Sequence, residues 1–188
     1  MNLEGILLYS ARALRFAVGI ELIWLLIYYW RWRRWGLAQR QEQRRYFWLR
    51  CVFVFYVAAL LQITVIRGGI SLDTLQAAAH DSSTIQLVPL MYTLQQAQAG
   101  WWAIVYPVCG NLLWFAPLGY LLPQIVPGRW QSWQCSVMCG LLLSCSIEGL
   151  QWLFGSGVSD IDDVLFNVLG ALLGYVVFSI LPKQQKER

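Results

Sequence analysis

The chain has 188 residues, of which 58% are hydrophobic and only 13% charged, with a mean hydropathy of +0.50. A soluble domain carries roughly 25% charged residues, and no soluble fold of this length hides so much apolar surface, so a soluble enzyme, a secreted domain and a nucleic-acid-binding factor are excluded. The net charge of +4 is concentrated in the arginines between Arg31 and Arg50, and such clustering reads as a membrane-topology signal.

A bilayer core about 30 Å thick needs about 20 apolar residues per helix. The chain is therefore read as one integral membrane domain over residues 1–188, an all-α bundle of about five transmembrane helices with short connections. The first apolar run is clearest from Phe16 to Trp30. An extension back to Gly5 places Arg12, Arg15 and Glu21 inside the helix, where such charges face protein or snorkel. The basic RWRRW segment follows this run instead of preceding it, so the segment is an anchor and not a cleavable signal peptide. The second span runs from about Tyr46 to Ile66, the third from about Trp101 to Leu122, the fourth from about Ser132 to Phe154 and the fifth from about Asp163 to Leu181. The connection from Arg67 to Gly100 is too polar to cross. Pro107, Gly110, Pro117, Gly119 and Pro123 predict that the third span is kinked or interrupted. Asn111 then either partners a freed backbone group, the favoured reading, or projects into a polar pocket.

Placing the loop from Arg31 to Arg45 inside also puts Arg129 and the tail residues Lys183, Lys186 and Arg188 inside, leaving Arg67, Arg12 and Arg15 outside. The expected orientation is N-terminus outside and C-terminus inside. Trp30, Trp32, Trp130 and Trp133 then mark the inner interface, and Trp101, Trp102 and Trp152 the outer one. The five cysteines all lie in apolar stretches, without metal-type spacing to the single histidine, His80. Neither a disulfide framework, a zinc site nor any other cofactor is expected. His80 reads as a solvated loop residue.

Polar and ionisable groups within a membrane helix are functional candidates because their burial is costly. Ser144, Glu148 and Gln151 recur at i, i+4 and i+7 and share one helix face. Asp160, Asp162 and Asp163 follow the outer end of that helix, and Asn167 lies one turn beyond Asp163. The short connection predicts an antiparallel helix pair, with Glu148 and Asn167 at similar depth and Gly170 to Gly174 as a small-xxx-small packing face. An outward-facing polar pocket is therefore expected, built from Asn111, Glu148, Gln151, Asp160, Asp163 and Asn167. Plainer readings stand beside it: Asp160 and Asp162 suit N-terminal caps, and Gln151 and Asn167 suit hydrogen bonds between helices. Glu148 has no basic neighbour in sequence and must be protonated, hydrogen-bonded or matched by a cation from elsewhere.

The segments NLLWFAPLGYLLP from Asn111, SIEGLQ from Ser146 and SDIDDVLFNVLGALLGY from Ser159 resemble the VanZ-like family of bacterial membrane proteins, with a weaker echo in IQLVPL from Ile85. The VanZ-like core is placed at about 46–181. Many members carry an arginine shortly before the DxDD motif, where this chain has Val158; Arg67 is the substitute cation considered. The resemblance implies a multi-pass protein of the bacterial cytoplasmic membrane and reduced susceptibility to the glycopeptide teicoplanin, but no settled reaction. Three classes of function are in view. The first is action of the outer pocket on an envelope lipid or cell-wall component. The second is an intramembrane enzyme with Glu148 as general acid or base and Asp160 and Asp163 holding a metal or orienting substrate. The third is a transporter or an accessory membrane partner.

Overall fold

The structure, a computed structural model, describes residues 3–66, 85–96, 98 and 100–181. Arg67, His80, Lys183, Lys186 and Arg188, all invoked above, lie outside the described residues.

Helix α1 spans Leu3–Arg34, so it begins well before Phe16 and contains Arg12, Arg15 and Glu21. Only Trp35 and Gly36 separate it from α2, Leu37–Thr64. The arginine-rich stretch expected as a loop is thus largely helical. Its residues LAQRQEQRR are mostly strong helix formers, and Gly36 is the single weak point. Arg40 seals the break: its Nε donates to the Trp32 carbonyl at 3.1 Å and its Nη2 to that of Arg33 at 3.3 Å. These carbonyls belong to the last turn of α1 and have no partner within the helix. The guanidinium also stacks 4.2 Å from the Trp32 ring centroid.

A two-residue strand β1, Ile85–Gln86, and a short helix α3, Met91–Gln96, precede α4, Trp102–Ile125. A 3-10 turn at Gly128–Trp130 leads into α5, Trp133–Phe154. Strand β2, Ser159–Asp160, pairs with β1, and α6 follows at Ile161–Ile180. Among the described residues four helical stretches are long and apolar enough to cross a bilayer: Tyr46–Thr64, Trp102–Ile125, Trp133–Phe154 and Ile161–Ile180. Helix α1 is not among these four; it stands beside them as an N-terminal helix. Of the kink or interruption expected of this span, the interruption is absent: helix α4 is continuous through Pro107, Pro117 and Pro123. Each proline removes one ladder bond, and the close seam with α6 described below holds the remainder in register.

The chain divides into two compact units, Met1–Ile85 with Ile147–Ser159, and Gln86–Ser146 with Asp160–Arg188. The first unit is built on the α1–α2 hairpin. Phe47 lies 5.9 Å from Trp24 and 4.9 Å from Tyr28, centroid to centroid, and Ala17, Ala58, Leu60, Val65 and Ile147 are buried.

The second unit is built on α4 and α6. A methyl group added at Gly119 would collide with the Ala171 carbonyl, and one at Gly174 with that of Ala116. At Gly170 it would fall 2.5 Å from the Leu112 carbonyl oxygen. The paired positions, Leu112 with Gly170 and Ala116 with Gly174, advance together along both chains, so the two helices run parallel with their backbones in direct contact. The small-residue face of α6 was expected to serve an antiparallel pairing with the fourth span. It is spent chiefly on α4, because α4 presents its own small residues Ala116 and Gly119 at the same level. From α5, a methyl group added at Gly140 would fall 2.8 Å from the Ala171 Cβ.

Candidate functional site: the polar start of helix α6

The first residues of α6 hold three carboxylates in three different ways. Asp160 is the N-cap, its extended backbone (φ −124°, ψ 126°) presenting Oδ1 to the Asp162 N–H at 2.9 Å. This is the capping role anticipated from the sequence. Burial pushes its carboxyl above the ordinary value of 3.8; the bond from the Asp162 N–H pulls it down and the neighbouring Asp162 charge pushes it up again.

Asp162 does not cap, contrary to the alternative considered for it. It is 1% exposed and its carboxylate binds the segment after β1. Oδ1 accepts from the Leu90 N–H at 2.5 Å; Oδ2 accepts from the Thr93 hydroxyl at 2.6 Å and from the Thr93 N–H at 3.4 Å. Leu90 has φ 62°, a left-handed conformation that a leucine adopts only at a cost of about 1–2 kcal/mol, and the bond to Asp162 falls on that same residue.

Asp163 accepts a hydrogen bond at 2.5 Å from Asn111 Nδ2 on α4. Asn111 therefore does not partner a backbone group freed by proline, the role favoured above; its amide is committed to the carboxylate. One turn further along α6, Asn167 is 4% exposed and its Nδ2 donates to Ser144 Oγ of α5 at 2.9 Å. The Asn167 Oδ1 is buried with no hydrogen-bond partner, an unspent acceptor inside the second unit.

Glu148 and Gln151 belong to the first unit, whereas Asn111, Asp160, Asp163 and Asn167 belong to the second. Glu148 is 5% exposed and lies one turn after Ser144 on the same face of α5. Gln151 Nε2 donates at 3.1 Å to the Thr64 carbonyl, one of the last carbonyls of α2 that its own helix leaves unpaired. This is the structural hydrogen bond considered for Gln151 from the sequence. Its Oε1 is buried without a partner, as is the Nε1 of the neighbouring Trp152.

From the sequence Asp162 was considered only as a cap, and Thr93 and Leu90 were not candidates. The signal was present in two separate motifs, since Leu90 ends IQLVPL and Asp162 lies inside SDIDDV. Their contact spans about seventy residues of sequence and becomes visible only when β1 meets β2.

Four apolar helices carry exposed aliphatic and aromatic side chains such as Leu113, Leu142 and Leu173, around buried Asp, Asn and Ser. This is the construction of a polytopic helical membrane protein, with apolar side chains toward lipid and polar groups buried within the protein. Residues 53–182 match the profile of the VanZ/LLP1 family, and the chain belongs to that family. No curated protein and no solved structure matches it.

Proposed function

We propose that the chain is a protein of the bacterial cytoplasmic membrane that binds or alters an envelope lipid or cell-wall component on the extracytoplasmic side, lowering susceptibility to teicoplanin-type glycopeptides. The observation that carries this reading is the set Asn111–Asp163 and Ser144–Asn167 at the start of α6, with the buried Asn167 Oδ1 still lacking a donor. A hydroxyl- or amide-rich ligand supplies such a donor, and sugars and peptides of the cell envelope are of that kind. Glu148 and Gln151 contribute to function from α5 in this reading.

In this reading α1 also crosses the bilayer, with the N-terminus outside and the C-terminus inside. This orientation rests on the bias of Lys and Arg toward one side and on the tryptophans at helix ends, where Trp101, Trp102, Trp130 and Trp133 are all more than half exposed. It places the start of α6 outside.

The test is teicoplanin susceptibility of a sensitive Gram-positive host expressing the wild type, Glu148→Gln or Asp163→Asn, each at matched membrane abundance. Protection by the wild type alone supports the reading and assigns the residues. Equal protection by all three retains the function and removes these carboxylates from it. Protection by none leaves a family member with another role.

A further inference from the structure

The α1–α2 hairpin holds a second polar feature, remote in sequence from the start of α6. A cavity of about 460 Å³ is lined by Trp24, Tyr28, Arg31, Gln39, Gln43 and Arg50, among others. On α1 its residues lie at steps of three and four, which puts them on one helix face. Arg31 and Arg50 both reach it, and among the described residues no carboxylate lines it. Arg50 Nη1 donates to Gln43 Oε1, and the Arg31 guanidinium stands 5.9 Å from the Trp35 centroid. Neither arginine is spent on capping, the task that occupies Arg40. Two guanidiniums with indole and phenol rings around them suit a phosphate-centred anion, which their forked donors bind bidentately.

The same two helix faces continue into an apolar groove of about 210 Å³, lined by Phe16, Ile20, Phe53, Val54, Val57, Ala58 and Leu61. The fifteen residues from Phe16 to Arg31 extend about 22 Å at a rise of about 1.5 Å each. That is about the depth of one leaflet with its headgroups. A basic aromatic head over an apolar slot of leaflet depth has the shape and charge of a phospholipid. Glu21 faces Cys51, the residue after Arg50, and is not among the residues that line the cavity.

We propose that the α1–α2 hairpin binds one anionic phospholipid, its phosphate held by Arg31 and Arg50 and one acyl chain lying in the groove between Ile20 and Val57. This site is independent of the start of α6 and of the function proposed for it.

The test uses the full chain purified in detergent and native mass spectrometry of retained lipid, with phosphatidylglycerol, phosphatidylcholine and inorganic phosphate offered in turn. Wild type is expected to retain one phosphatidylglycerol in preference to phosphatidylcholine. R31Q/R50Q is expected to lose that preference by about tenfold or more, while Arg33→Gln, which changes an arginine outside the cavity, keeps it. Val57→Trp fills the apolar arm and leaves both guanidiniums. It is expected to weaken retention of long-chain phosphatidylglycerol and to spare a short-chain analogue, which keeps the idea testable should the arginine variant misfold. Equal retention of both lipids by wild type overturns the proposal, as does an unchanged preference in a folded R31Q/R50Q. Displacement of the lipid by inorganic phosphate overturns it in favour of a free-anion site.

Discussion

Asp162 and Asp163 are adjacent in the chain and serve different partners, because successive side chains on a helix point about 100° apart. Asp163 turns to Asn111 on α4; Asp162 turns to Leu90 and Thr93 in the segment after β1. Removing the Asp162 carboxylate strands two part-buried N–H donors and one hydroxyl, and hydrogen bonds to a charged group are each worth about 1.5–3 kcal/mol. Asp162→Ala is therefore expected to lower the thermal midpoint in detergent by several degrees, at about 2–4 °C per kcal/mol for a chain of this size. Asp163→Asn, which keeps an acceptor facing Asn111, is expected to cost much less. If the two variants unfold together, the clamp on Leu90 is not the stabilising contact.

Asp160 carries a pH prediction. A carboxyl whose folded pKa is raised above 3.8 by burial holds its proton more tightly in the folded state. Its contribution to stability is present below the unfolded value and is lost as pH rises through the folded one. Asp160→Asn retains a capping oxygen and removes the titration. Its midpoint is expected to vary less than that of the wild type as pH rises above 3.8. Identical pH profiles would show that the raised Asp160 carboxyl does not govern stability in this range.

Among the elements, the α4–α6 seam makes the strongest demand on sequence. Gly119 and Gly174 each sit against a carbonyl of the opposite helix, so Gly174→Ala has no room and either parts the helices or breaks their register. Overpacking of this kind costs about 1–3 kcal/mol. Gly149 on α5 is the control, since nothing lies within 4 Å of where its Cβ would be. Gly149→Ala is expected to be neutral or to stabilise by up to about 1 kcal/mol through helix propensity. Thermal unfolding of the two variants separates packing from propensity, and equal midpoints would refute the seam.

The start of α2 teaches a related lesson. The stretch from Leu37 to Arg45 looks like a topogenic loop when judged by charge, and propensity makes it helix. Charge reports the side of the membrane on which a segment stays; it does not report its backbone conformation.

For the whole molecule, the orientation inferred from charge makes a direct prediction. With the native cysteines replaced, Val158→Cys, 41% exposed between α5 and α6, is expected to react with a membrane-impermeant maleimide in intact cells. A cysteine at Gln131, exposed next to Arg129, is expected to react only after the membrane is opened. The reverse pattern would place the start of α6 inside and remove the basis for an extracytoplasmic ligand.

Of the five spans expected, the four helices long and apolar enough to cross the bilayer were legible in the sequence to within a few residues at each end. An apolar run of about 20 residues has no other stable fate in a membrane protein, since its backbone must bond to itself. The capping role of Asp160 and the interhelical role of Asn167 were legible for a similar reason, because both depend on neighbours one or two turns away or on the cost of burying an amide. The partners of Asp162 and Asn111, and the choice of α4 instead of α5 as the main companion of the α6 glycines, were decided only by tertiary structure. Each depends on which distant segment arrives at the same level. Hydropathy carries no record of that, because lipid-facing and helix-facing positions are both apolar, and only the close fit of Ala116 and Gly119 against Ala171 and Gly174 selects between them.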